Sequence, residues 1–237
     1  MKIEVLYPEV CCLYGDKSNM DYLKLCMPEC EMVYTSLTDE PRFVYEPVDM
    51  IYLCSMSERS QELVLERLMN YRNVLRLLID EQRCVILAVG NAMELFGTYI
   101  QKEDGEKIEA LGITSTYAVR QKPKRFNSLT LLEMDDMTLV GYTTRFSHSY
   151  GLEKQDALFR VVRGSGINPE CGLEGVRKGK FFATYTVGPI LVSNPDFTHF
   201  ILSQMGADTE TLAFEKEARE AYELRLKDIR AARELLQ

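Results

Sequence analysis

The apolar run Cys84-Val85-Ile86-Leu87-Ala88-Val89 stops abruptly at Gly90-Asn91-Ala92 and passes into the helix-compatible Met93-Glu94-Leu95-Phe96. Few arrangements satisfy that pattern. An uninterrupted apolar strand is buried on both faces, as in the middle of a parallel sheet. A sharp turn into a helix then falls at the sheet's carboxyl edge, where open α/β folds bind ligands. Hydrolases present a Ser or Cys nucleophile on a strand-to-helix turn of this shape. Here the tip is Gly90, which has no side chain to attack anything. The segment reads as an enzyme scaffold without its nucleophile.

The flanking sequence supports an α/β reading. Lys2 to Leu6 predicts a first strand, and Ser18 or Asn19 a cap for a helix running through Leu25. Val48 to Cys54 predicts a second buried strand. Ser57 then caps a long helix with an apolar face of Leu63, Leu65, Leu68, Val74, Leu75 and Leu78. Strands alternating with helices imply a mostly parallel sheet with helices on both faces. The second half differs. Leu129–Met134, Thr138–Tyr142, Leu158–Val162 and Phe181–Tyr185 are short runs separated by turn signals such as Gly164-Ser165-Gly166, which suits antiparallel or mixed strands. Asn194-Pro195-Asp196 opens a helix through Met205. From about Thr209 a charged helix follows, with Glu215/Arg219 and Glu223/Lys227 at favourable spacing. Its narrow stripe of Ala218, Tyr222, Ile229, Ala232 and Leu236 suits a helix packed on its own domain, preferred here over one that binds a partner. The expected organisation is one domain over 1–237, with a core of 1–206 and a C-terminal helix in 207–237.

Composition narrows the function. A net charge of −8 argues against nucleic-acid and acidic-membrane surfaces. No apolar run approaches the roughly 20 residues that span a bilayer. The first residues, Met1 to Leu6, are charged too early for a secretory signal. The seven cysteines are therefore expected as reduced thiols in a cytoplasm. Cys26 and Cys30 have no second ligand pair at metal-binding spacing, and only His148 and His199 could supply imidazole, so neither a metal nor a cofactor is expected.

Several segments, taken in order, resemble the glutamine amidotransferase family of the cobyric-acid-synthase type. Within it they most resemble the glutaminase subunits of lipid II isoglutaminyl synthases. Leu6-Tyr7-Pro8-Glu9, Leu13-Tyr14-Gly15-Asp16 and Asn19 resemble the family's opening. Asp49 to Leu53, with Arg59 and Gln61, resembles its second strand and the segment after it. Lys124-Arg125-Phe126 matches a Lys-Arg-Phe segment. Gly164-Ser165-Gly166, Gly172, Glu174-Gly175, Thr184-Tyr185, Gly188-Pro189, Leu191 and Asn194-Pro195 match the C-terminal region. The resemblance reaches about Gly206 and implies a class I glutaminase-like, flavodoxin-like fold. It also implies a Mur-ligase-type partner subunit in amidation of the peptidoglycan precursor.

That family hydrolyses glutamine with a Cys–His pair, in which imidazole generates the thiolate and later protonates the departing ammonia. Its elbow reads Cys-Gly-Gly-Tyr-Gln, whereas this chain has Gly90-Asn91-Ala92-Met93-Glu94. Its histidine follows Thr-Tyr-Leu; here Thr184-Tyr185-Thr186 leads to Val187. Its glycine triplet, which admits an oxyanion to backbone N–H groups, is replaced by Cys54-Ser55-Met56. Losing a nucleophile or base costs several orders of magnitude in rate. Losing oxyanion donors costs roughly a further hundred- to thousand-fold. Glutamine hydrolysis is thus expected to be absent, with Gly90 and Val187 as vestigial catalytic positions.

Cys54, expected near the same sheet edge, is the one replacement nucleophile to weigh; a buried strand-end thiol is the plainer reading. Arg125 suits either the carboxylate of a bound glutamine or a solvated basic run, Lys122-Pro123-Lys124-Arg125. The helix starting near Asn91 offers N–H groups to an anion. Asp16 and Glu58 are expected as solvated charges, His148 as a surface or loop residue, and His199 as facing solvent or a neighbouring helix. Three readings follow: a silent subunit, an amidohydrolase using Cys54, and a glutamine sensor.

Overall fold

A computed structural model describes residues 1–207 and 210–232. Four parallel strands are laid down first: β1 (Lys2–Leu6), β2 (Glu31–Thr35), β3 (Met50–Leu53) and β4 (Val85–Val89). After the glycine turn come β5 (Tyr99–Gln101), β6 (Lys107–Glu109) and β7 (Tyr117–Arg120). The hairpin β8 (Phe126–Met134) and β9 (Met137–Arg145) leads into β10 (Ser147–Tyr150). β11 (Ala157–Arg163), β12 (Leu173–Lys178), β13 (Phe181–Thr184) and β14 (Thr186–Val187) complete the set. The large sheet runs β14-β9-β8-β11-β12-β13-β4-β3-β1-β2. It is parallel from β13 to β2 and antiparallel from β13 to β14. A small sheet, β10-β7-β5-β6, stands apart from it.

The α/β class and the change of character in the second half are therefore as expected. β2 was not foreseen. It is an edge strand whose burial alternates weakly, so its sequence Glu31-Met32-Val33-Tyr34-Thr35 carries little periodic signal. Every residue of β4 is buried, as befits a strand with neighbours on both sides.

The helices are α1 (Ser18–Cys26), α2 (Glu58–Met69), α3 (Arg72–Asp80), α4 (Ile190–Ser193), α5 (Pro195–Met205) and α6 (Glu215–Ala231). Ser57 caps α2 as expected, accepting from Ser60 N at 3.1 Å. The single long helix predicted after it is two helices, broken at Asn70-Tyr71, and Leu63 is exposed. At α1 neither Ser18 nor Asn19 caps. Asn19 is buried, donating to the Tyr52 hydroxyl at 2.9 Å and accepting from Leu191 N at 2.8 Å, so it ties α1 to β3 and α4.

α6 packs on the β8–β9 hairpin, as expected of a helix that covers its own chain. Leu226 and Ile229 pack against Leu131 and Val140, and Tyr222 donates to the Thr138 carbonyl at 2.8 Å. Arg163 reaches from β11 to the carbonyls of Ile229, Arg230 and Ala232, meeting the negative end of the helix dipole. Glu215 pairs with Arg219 as expected. Thr209 and Leu236, part of the sequence expectation for this region, lie outside the described residues. No helix among the described residues is long and apolar enough to cross a membrane.

Candidate functional site

β4 ends at the elbow. Gly90 has φ +64, in the left-handed region that L side chains rarely adopt. The chain then makes a tight turn over Gly90–Phe96, buried except at Asn91. A nucleophile at this position would be strained; glycine is not. Its second contribution is space. A Cβ on Gly90 would overlap Ser55 Oγ, lie 2.9 Å from Ser55 Cβ and stand 3.2 Å from Val187 Cγ1. The volume that an elbow side chain would fill is taken by the two residues flanking it.

Asp16 fixes that closure. Its Oδ2 accepts from Ser55 Oγ at 2.8 Å, and its Oδ1 from Gly188 N at 2.8 Å. One carboxylate thus staples the segment after β3 to the segment after β14. Asp16 was expected at the surface but is fully buried, because its carboxylate turns in from the exposed Leu13–Gly15 turn to the donors on Ser55 and Gly188. Burial raises its pKa to about 6, against the lowering effect of the two donors.

One backbone donor of the Cys54-Ser55-Met56 segment is also engaged. Met56 N donates to Asn91 Oδ1 at 3.0 Å, and Asn91 Nδ2 returns a bond to Met56 O at 2.8 Å. Asn91 thereby serves as a clasp between the elbow and the segment after β3. The elbow turn is a short, buried 3₁₀ segment, not the open helix N-terminus that the sequence suggested for an anion.

Cys54 lies at the sheet edge, as expected, and is buried. Its thiol donates to the Cys11 carbonyl at 2.7 Å, and burial pushes its pKa far up, so it is held as a neutral thiol. His199 Nε2 lies 3.2 Å from Glu215 Oε1, facing a neighbouring helix as expected. His148 does not lie at the surface or in a loop. It is buried on β10, its ring centroid 3.9 Å from that of Phe126. Burial first, then the Arg145 and Lys124 charges, lower its pKa to about 4, so it is a neutral imidazole near pH 7. It was misjudged because Ser147-His148-Ser149-Tyr150 is polar, yet the strand is covered on both sides.

Behind the elbow lies a polar network that sequence reading missed. Glu94, four residues past Gly90 and buried, accepts from Ser147 Oγ, from the Tyr185 hydroxyl at 2.9 Å and from Gln61 Nε2 at 2.8 Å. Gln61 Oε1 accepts from Arg120 Nη2 at 2.9 Å, and Arg120 pairs with Glu62 at 2.5 Å. The Arg145 guanidinium lies 4.3 Å over the Tyr185 ring and donates to the carbonyls of Ser147 and Gly166. Glu174 positions Tyr185 by accepting from its N–H at 2.7 Å. Desolvation raises the pKa of Glu94 despite its three side-chain donors. The one signal available was Gln61, which matches the family segment after the second strand; nothing in the spacing joins it to Glu94, Ser147 and Tyr185.

Arg125 is exposed but not idle. Its Nη1 donates to the Tyr14 hydroxyl at 3.1 Å and to Thr144 Oγ1 at 3.2 Å, and the guanidinium lies 4.3 Å over the Phe146 ring. It bridges the Leu13–Gly15 turn and β9 at the mouth of the closed elbow. Glu58, half-buried, pairs with Lys122 at 2.9 Å. No group of three or more metal-ligating side chains occurs among the described residues.

Residues 2–195 match the CobB/CobQ-like glutamine amidotransferase domain. The chain belongs to that family. It is similar, at 26% identity over 226 residues, to the Streptococcus pneumoniae lipid II isoglutaminyl synthase (glutamine-hydrolyzing) subunit GatD, covering 91% of this chain and 86% of that protein. The Staphylococcus aureus subunit of the same name is 27% identical over 198 residues, or 81% of this chain and 79% of that protein. Among solved structures, a glutamine amidotransferase aligns with TM-score 0.58 at 16% identity, over 86% of this chain and 99% of that one. The structure of PurLQS from Thermotoga maritima aligns at 0.53 and 12% identity, over 95% and 98%. These likenesses support the fold. In this CobB/CobQ-like domain the elbow is retained while the space at its tip is filled.

Proposed function

We propose that this chain is a catalytically silent glutamine amidotransferase-like subunit that docks on a Mur-ligase-type partner in amidation of the peptidoglycan precursor lipid II. One observation carries the silence: the position a nucleophile would occupy on Gly90 is filled by Ser55, which is held there by Asp16. Val187 at the position of the general base, and Met56 N–H engaged by Asn91, act in the same direction. A thiol attacks only as a thiolate, and Cys54 is buried as a neutral thiol bonded to a carbonyl. The relatives named GatD, each a subunit of a lipid II isoglutaminyl synthase, supply the reason to look for a ligase-type partner.

Co-expression with a Mur-ligase-type protein from the same cell tests this reading. The expected result is a complex stable on size exclusion, with no ammonia released from glutamine by this chain alone or in the complex. Failure to associate would remove the subunit role. Ammonia release that disappears in Cys54→Ala would establish a relocated nucleophile. Saturable heat on titration with glutamine, weakened in Arg125→Ala and without turnover, would favour a sensor.

A further inference from the structure

Beside the sealed elbow, and sharing Val187 and Gly188 with it, α6 leaves a cavity of about 280 Å³ against the β8–β9 hairpin. Its apolar wall is formed by Leu129 and Tyr142, a cross-strand pair on one face of the sheet, with Val187 and Ile229. Two side chains of opposite charge, Arg225 and Asp228, stand on the α6 side. They are three residues apart on one helix face, yet no ion pair joins them among the described residues. Arg225 is held at the wall by donating from Nη1 to Ser193 Oγ at 3.0 Å, which leaves its other N–H groups available. None of Glu94, Gln61, Ser147 and Tyr185 lines this cavity.

From these features we infer that the cavity binds a free α-amino acid with an apolar side chain. Arg225 meets the carboxylate, since a guanidinium fork suits a planar anion. Asp228 meets the ammonium, and the hairpin wall takes the side chain. The volume suits this class. It falls just below the roughly 300–1,000 Å³ of sites for drug-sized ligands, and at roughly 30 Å³ per water it corresponds to a ligand on the order of ten heavy atoms. Both charged groups are at a solvated rim, so the expected affinity is modest, with Kd on the order of 1 mM. Val187 and Gly188 belong to the cavity wall as well as to the elbow closure, so an occupant would press on the segment that Asp16 staples. The inference is independent of the silent-subunit reading.

The test is a titration of the full chain, methyl-labelled at Val and Ile, with L-leucine, L-phenylalanine and L-glutamine up to 10 mM. The expected result is saturable shifts at the Val187 and Ile229 methyls with leucine or phenylalanine and at least tenfold weaker binding of glutamine. Arg225→Ala and Asp228→Asn, both at exposed positions, should each weaken binding at least about tenfold while leaving the circular dichroism spectrum unchanged. Absence of saturable shifts with both apolar amino acids in the wild-type chain would overturn the proposal without reference to any variant. So would equal binding of glutamine, or unaltered affinity in either variant.

Discussion

At the carboxyl edge of β4, Ser55, Asp16 and Gly188 close over a glycine turn and leave no room for a side chain. Across Val187, where α6 lies on β8 and β9, the same chain keeps a cavity of about 280 Å³ open. The difference follows from what each region has to satisfy. At the elbow, buried carboxylates need donors, and each donor must be brought within hydrogen-bond distance, so the segments around them are drawn together. Between α6 and the hairpin the contacts are mostly apolar, with charged groups left at the rim, and nothing forces the gap to close. Gly90, which carries no side chain, therefore does not face an empty pocket; it sits among polar backbone and side-chain groups that partner one another.

The largest effect expected is at Gly90. Gly90→Cys places a Cβ in the left-handed region and against Ser55. Strain and overpacking together should cost about 3 kcal/mol of stability, read by urea denaturation. Gly90→Cys with Val187→His should release no ammonia from glutamine, because the introduced pair has no space and the nearby Met56 N–H is held by Asn91. Adding Ser55→Gly should recover part of the lost stability. Glutaminase activity in the double variant would break the contrast drawn above, since it would mean the elbow can still open.

Glu94→Ala comes next. It strands the donors on Gln61, Tyr185 and Ser147 in the interior, at about 1 kcal/mol or more each when unsatisfied, for a total of about 3 kcal/mol. Glu94→Gln keeps the shape and should cost distinctly less. Equal losses in the two variants would show that volume, rather than hydrogen bonding, holds this network.

Asp16 provides a pH-dependent measure of the seal. Its pKa rises from near 4 when unfolded to about 6 when folded, so between these values the native state holds the proton more tightly. Stability contributed by this group therefore falls as pH rises from about 4 to 6, by about 3 kcal/mol at 1.36 kcal/mol per pH unit. His148 acts oppositely. Its folded pKa near 4 lies below the unfolded value, so its contribution is lost as pH falls from about 6.5 to 4. Asp16→Asn should remove the first limb and leave the second, so the difference in unfolding free energy between variant and wild type should change by about 2–3 kcal/mol between pH 4 and 7. A pH-independent difference would place Asp16 in contact with solvent.

Much of this was legible in the sequence, for identifiable reasons. β4 and its glycine turn announce themselves because burial on both faces leaves an unbroken apolar run, whereas the expectation that Gly90 and Val187 stand where the family has its Cys and His comes from resemblance to a family motif. β2 was not legible because an edge strand need not alternate. The seal was illegible for a different reason. Asp16, Ser55 and Gly188 are brought together only by tertiary folding, and a short polar side chain near a turn looks the same in sequence whether it is solvated or buried. His148 shows the same limit, since the residues that cover β10 come from distant segments. Gln61 and Glu94 meet through a bond 2.8 Å long across 33 positions of sequence.

The smallest effect should come from the other region. Arg163 donates to three carbonyls at the end of α6, and these charge-assisted bonds are partly solvated. Arg163→Ala should therefore cost about 1 kcal/mol and raise amide exchange in the last turn of α6, read by hydrogen–deuterium exchange. Amides of Gly90–Phe96 should be unaffected, because Asp16, Asn91 and Gln61 hold the elbow without any contribution from α6. If exchange at the elbow rose as well, the cavity wall formed by Val187 and Gly188 would be transmitting the loosening of α6 to the seal. The two regions would then be one cooperative unit, and an occupant of the cavity would act on the elbow by the same route.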